Sequence, residues 1–178
     1  MRFMHRLPTL FALCMTLLAS SVYADHDVES RLTTVLIGRF ASYVKWPPSE
    51  RTHFVITVLG DNPFGTMLDE LYHSKHIQNK PVELHYAQTL NQVGPTDILF
   101  INLHNASGRQ AAIQFAHQHA TLSISDSRGF ADSGGIIQLN IVEQKTQIKI
   151  NHAAAIASGL KIGSPLLSIA TVLRKEQP

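Results

Sequence analysis

Two short runs constrain this chain most. His53 to Leu59 and Asp97 to Ile101 are almost unbroken in apolar residues. A strand with no polar face needs cover on both sides, which is the condition inside a parallel sheet flanked by helices. A third run, Leu122 to Ile124, is shorter and stops at Ser125-Asp126-Ser127. Helical spacing separates the runs. Phe64, Met67, Leu68 and Leu71 share one face after Asn62-Pro63, a cap and first-turn pair. Ala111, Ala112, Phe115 and Ala116 share another, with Ser107 placed to cap that helix. Alternating strands and helices of this kind predict an α/β fold with a mostly parallel sheet.

The segments at either end complete the expectation. Val28, Leu32, Val35, Leu36, Phe40, Tyr43 and Val44 predict one face of a helix over Asp27–Lys45, ended by Trp46-Pro47-Pro48. Trp46, the one tryptophan, reads as a core anchor. Val82 to Tyr86 alternates, as a strand near an edge does. Ile136–Val142 and Gln147–Ile150 predict a hairpin around a polar turn, 143–146. Asn151 opens an Ala-rich helix stopped by Gly159, and Pro165 opens a final helix carrying Leu166, Leu167, Ile169, Ala170 and Leu173. The expected whole is one three-layer α/β domain over 25–178, with the C-terminal antiparallel hairpin at one sheet edge.

Residues 1–24 have the form of a secretory signal. Arg2, His5 and Arg6 precede the apolar stretch Leu7–Leu18, and Val22-Tyr23-Ala24 offers small residues for cleavage after Ala24. Export to the periplasm is the expectation. Among the 15 basic residues, Arg2 and Arg6 would leave with the signal, so 13 remain to balance 13 acidic ones. A neutral chain does not point to nucleic acid. Cys14, the one cysteine, would leave as well, so the exported domain must rest on its core without a disulfide. No later segment is long and apolar enough to insert directly into a membrane.

Motifs for chemistry are sparse. Nine histidines remain after position 24, but His73/His76 and His117/His119 lack the partners and spacing of a zinc site. There is no Gly-x-Ser-x-Gly elbow, Gly-x-Gly-x-x-Gly turn or phosphate-loop lysine. No cofactor, metal or catalytic residue is expected, and a secreted hydrolase is the weakest reading. Ligands on parallel sheets bind beyond the carboxyl ends of strands. A small-ligand sensory protein would therefore use Asp61, Asn62, Ser125, Asp126, Gly134 and Gly135. A protein-binding module would use the Gly-rich loop, with Arg128 and Phe130 as anchors and Asp132 beside them.

The ordered set Phe40-Ala41-Ser42-Tyr43-Val44-Lys45-Trp46-Pro47, Val58–Gly65, Asp97–Ile101, Ser125-Asp126 through Gly129-Phe130 and Gly134-Gly135, Ile150-Asn151, Gly159–Ile162 and Leu166-Leu167 resembles the YfiR family of exported proteins. The resemblance spans roughly Ser30 to Leu173. It implies a sheet flanked by helices, a homodimer, and a periplasmic repressor. The implied partner is the sensor domain of an inner-membrane diguanylate cyclase, whose release raises cyclic-di-GMP and favours biofilm. Relatives commonly carry cysteine pairs, absent here after position 24, which excludes a thiol switch. They also carry Tyr-Asn where this chain has Gly38-Arg39, and an acid at Lys45.

Overall fold

The computed structural model describes residues 28–142 and 145–173. Residues 1–27, which include the expected signal segment, residues 143–144 of the expected polar turn and the last five residues lie outside them. The chain opens in helix α1, 28–41. It continues through β1 (Val44–Lys45), β2 (Phe54–Gly60), α2 (Met67–Tyr72), β3 (His76–Ile77) and β4 (Lys80–Ala87). Then come β5 (Ile98–Asn102), α3 (Ala106–Gln118), β6 (Leu122–Ser125), β7 (Ile137–Val142) and β8 (Lys145–Asn151). Helix α4 (His152–Ala157), β9 (Lys161–Ile162), α5 (Ser164–Ser168) and β10 (Thr171–Leu173) finish the chain. Eight strands form one sheet in the order β10-β8-β7-β6-β5-β2-β4-β3. Strands β4, β2, β5, β6 and β7 run parallel, and β7–β8 is the antiparallel hairpin.

The apolar runs do what their composition demands. Ile56, Val58, Ile98, Phe100, Leu122 and Ile124 point to one face, under α1, α2, α4 and α5. Leu59, Leu99 and Ile101 point to the other, under α3. Strands β2 and β5 are thus buried on both sides. Crossover helices α2 and α3 lie on opposite faces, so the strand order reverses between β2 and β5. The opposite end of these strands is tied by Asp97, which is 7 % exposed. Its Oδ2 accepts from Val55 N at 2.8 Å, its Oδ1 meets Arg51, and its carbonyl accepts from Trp46 Nε1 at 3.2 Å. Trp46 is partly buried, edge-on to Phe54.

Several expectations change. Helix α1 stops at residue 41, because the next residues pair as β1 with β9. Its buried face is Ser30, Thr34, Ile37, Phe40 and Ala41, while Val28, Leu32, Val35 and Tyr43 are exposed. Small polar side chains win that face because α2 comes very close. The Tyr72 hydroxyl donates to Thr34 O and accepts from Gly38 N, both at 2.8 Å, bridging one turn of α1. A Cβ on Gly38 would sit 2.3 Å from that oxygen. Burial pushes the Tyr72 hydroxyl up to about 12, against the lowering effect of the Gly38 hydrogen bond.

Helix α2 begins at Met67, not Pro63. Asn62 instead closes a local turn, accepting from Phe64 N and donating to Gly65 O. Asn105, not Ser107, caps α3, accepting from Gly108 N. The last helix is only Ser164–Ser168, and the chain then returns as β10, parallel to β8. The hairpin is therefore not the sheet edge along its whole length. Beside Lys149–Asn151 that place belongs to β10.

Candidate functional site

The crevice between the ends of β2 and β5 is closed. Gly60 has φ +95°, and a Cβ there would lie 2.1 Å from Asn102 O. Glycine thus lets the two strand ends touch. Asp61 N donates to Asn102 O at 3.3 Å, and Asn102 Nδ2 donates to Asp61 O at 2.9 Å. His104 Nε2 lies 2.9 Å from Asp61 Oδ2 across the mouth. Ser125 is fully buried, its hydroxyl donating to Ile101 O at 2.6 Å and accepting from Ser127 N at 3.1 Å. Asp61, Asn62 and Ser125 are thus engaged with their own neighbourhood.

The loop between β6 and β7 has two halves. One is a foundation. Phe130 is 3 % exposed and packs with Leu99, Ile101 and Ile113. The sequence reading put this ring on the surface as a partner anchor. In the structure it faces inward, because Gly135 leaves it room: a Cβ on Gly135 would sit 2.1 Å from Phe130 Cε1. Gly134 adopts φ +101°, and its carbonyl takes a 2.8 Å hydrogen bond from His117 Nε2. A carbonyl only accepts, so the imidazole carries its proton on that nitrogen. Polar side chains from the sheet hold the rest. Ser123 Oγ accepts from Ile136 N at 3.0 Å, Gln138 Oε1 from Ala131 N at 3.4 Å, and Asn151 Nδ2 donates to Ala131 O at 2.9 Å. Asn151 Oδ1 also caps α4 through Ala154 N.

The other half is a polar rim. Asp126, Arg128 and Asp132 are exposed. Asp132 receives both of its contacts from Lys149 Nζ, at 2.8 and 2.7 Å. Among the described residues Arg128 makes no hydrogen bond or ion pair. The rim overhangs a cavity of about 710 Å³ lined by Asp126, Arg128, Asp132, Gln138, Asn140 and Lys149, among others. A second cavity, about 560 Å³, shares Gln138, Asn140, Gln147 and Lys149 and extends to Ser168–Thr171. Together they form one trough on the hairpin.

The structure thus brings Asp126, Arg128 and Asp132 together, keeps Asp61 and Asn62 at the β2–β5 junction, and buries Ser125, Gly135 and Phe130. Gln138, Asn140, Gln147 and Lys149 had no expected role. Their signal was present, since polar residues alternate with Ile and Leu along both hairpin strands. The floor opposes Gln138 to Lys149 and Asn140 to Gln147. Amides that donate and accept, with charges of both signs, suit hydrogen-bonding recognition. Neither cavity is lined by His or Cys. Among the described residues, no group of three or more His, Cys, Asp or Glu could hold a metal ion.

Known proteins resemble this chain in two ways. The fold is shared with a solved structure, a conserved domain protein from Vibrio cholerae O1 biovar eltor, at 18 % identity and a TM-score of 0.53. That match covers 82 % of this chain and 60 % of the other, so this chain spans less than two thirds of that protein's length. No curated protein matches. The profile of the YfiR/HmsC-like family matches residues 30–171, from the buried Ser30 on α1 to Thr171 at the start of β10. That match takes in the sheet, the Gly-rich loop and the trough, and the chain belongs to the YfiR/HmsC-like family.

Proposed function

We propose that this chain represses a membrane-anchored diguanylate cyclase by binding its periplasmic sensor domain, and so lowers cyclic-di-GMP signalling. The family is a periplasmic, regulatory one, which supports the coarse part of this reading. The observation that carries the rest is a contrast in surface. The β2–β5 crevice is tied shut by Asp61, Asn102 and His104, while the loop–hairpin trough stands open with Arg128 at its rim. An exposed guanidinium beside an open polar floor suits contact with another protein. Among the described residues no helix is long and apolar enough to cross a membrane.

The test is capture of solubilised inner-membrane proteins by the mature protein, with Arg128→Glu as control. The expected result is a cyclase retained by the native chain and lost by the folded variant. Deleting the gene should raise cyclic-di-GMP. Equal capture by both forms, or an unchanged nucleotide level, would sink the proposal. The rival is a small-ligand sensor. The polar cavity of about 710 Å³ favours it, since that volume admits a metabolite. A thermal shift with one compound of a metabolite library, and none with the membrane partner, would support that reading instead.

A further inference from the structure

We infer that the trough accepts an extended acidic polypeptide segment, added as a strand along the open edge of β8. This deepens the regulatory reading and rests on it. The pairing of β8 with β10 begins at Lys149↔Thr171, so Lys145–Ile148 has no strand on its outer side among the described residues. Backbone parity follows from one bond. Asn151 N donates to Ile136 O at 2.9 Å, which makes Ile137↔Ile150, Leu139↔Ile148 and Ile141↔Thr146 the pairs whose peptide groups point away from the hairpin partner. Thr146 therefore turns its N–H and C=O outward and Ile148 its N–H, where β10 has not yet begun, while the Ile148 carbonyl already serves the Lys149↔Thr171 pairing. A strand lying there would continue the line of β10, the geometry of strand addition to a sheet edge.

Charge selects the occupant. The part of the trough beside this edge is lined by Gln138, Asn140, Gln147, Lys149 and the 168–171 turn, and its one charged lining residue is Lys149. Lys145 lies on the same strand, two positions before Gln147 and on the same face, and is exposed. An incoming strand would set alternate side chains beside Lys145, Gln147 and Lys149, and carboxylates there form favourable cross-strand neighbours. The Lys149–Asp132 pair does not block this. Both side chains are partly exposed, at 31 % and 52 %, and such surface pairs exchange readily. Ile169, 68 % exposed beside the same edge, offers cover for an apolar residue of the strand.

The probe is a synthetic octapeptide alternating Glu with Val, titrated into the mature protein and followed by anisotropy. Three comparisons accompany it: the same peptide with Lys for Glu, a version N-methylated at alternate backbone positions, and the protein variants Lys145→Glu and Thr146→Pro. Proline at 146 removes an outward N–H and leaves the β7–β8 bonds in place. Expected is measurable binding of the acidic peptide, weakened at least tenfold by each change. Equal binding of the Lys peptide would overturn the charge selection. Equal binding of the N-methylated peptide would overturn strand addition, whatever the fate of the proline variant. No binding at millimolar peptide would overturn both. Membrane-partner capture that survives Lys145→Glu and Thr146→Pro would leave the regulatory reading standing while removing this one.

Discussion

Gly60 and Gly135 solve the same steric problem and produce opposite surfaces. At Gly60 the missing Cβ makes room for a neighbouring backbone carbonyl, so two strand ends meet and the expected ligand crevice disappears. At Gly135 it makes room for the ring of Phe130. The loop can then bury its own aromatic and present Asp126, Arg128 and Asp132 outward. The difference teaches that a strand-end glycine does not by itself mark a binding site. What fills the vacated space decides whether the end is sealed or becomes a rim.

Phe130→Ala should have the largest effect on this contrast. Emptying a buried ring site costs about 3–5 kcal/mol, and the rim above loses its foundation. Urea unfolding should show the loss; a change below about 1 kcal/mol would mean that the loop does not depend on this ring. Gly60→Ala should come next, at about 2–3 kcal/mol, from left-handed backbone strain combined with overpacking against Asn102 O. If its midpoint matched the native one, the closed junction would be softer than described. Gly38→Ala tests the third glycine of this kind and should cost about 1–3 kcal/mol by displacing the Tyr72 hydroxyl from α1.

Tyr72 adds a pH test with a definite sign. Its folded value is raised, so its contribution is whole below the ordinary tyrosine value of 10.0 and is lost as pH climbs towards about 12. Denaturant midpoints should fall in that window and fall less in Tyr72→Phe; identical slopes would remove the bridge from the account. A small effect on stability belongs to His104→Ala. Its pair with Asp61 is exposed, at 85 % and 70 %, and should contribute under about 1 kcal/mol. Arg128→Glu should also leave the midpoint unchanged, so any lost partner binding reports on contact alone.

Much of the fold was legible in the chain. The unbroken apolar runs demanded two-sided cover and received it, the Asn151 cap stands where it was expected, and the hairpin forms with β8 starting at Lys145, inside the stretch expected as turn. The failures share a cause. Helix α1 turned Ser30 and Thr34 inward because Tyr72, 38 residues beyond Thr34, closes on it. The last helix stopped after Ser168, and the chain returned as β10 beside β8, which the apolar pattern alone did not foreshadow. Phe130 looked like an anchor because a lone aromatic in a polar loop carries no sign of which way it faces.

Periodicity acts between near neighbours, so the sequence alone determined that buried strands would alternate with helices, that a hairpin would follow, and that the hairpin would have one polar face. Direction depends on contacts between distant residues. Tertiary structure therefore decided which glycine would close a crevice, that the aromatic of the loop would turn inward, and that four unremarked polar residues would become the floor of a trough. The physical reason is range. Local spacing sets which side chains share a face, but the space available to each face is set by segments that meet only when the sheet assembles.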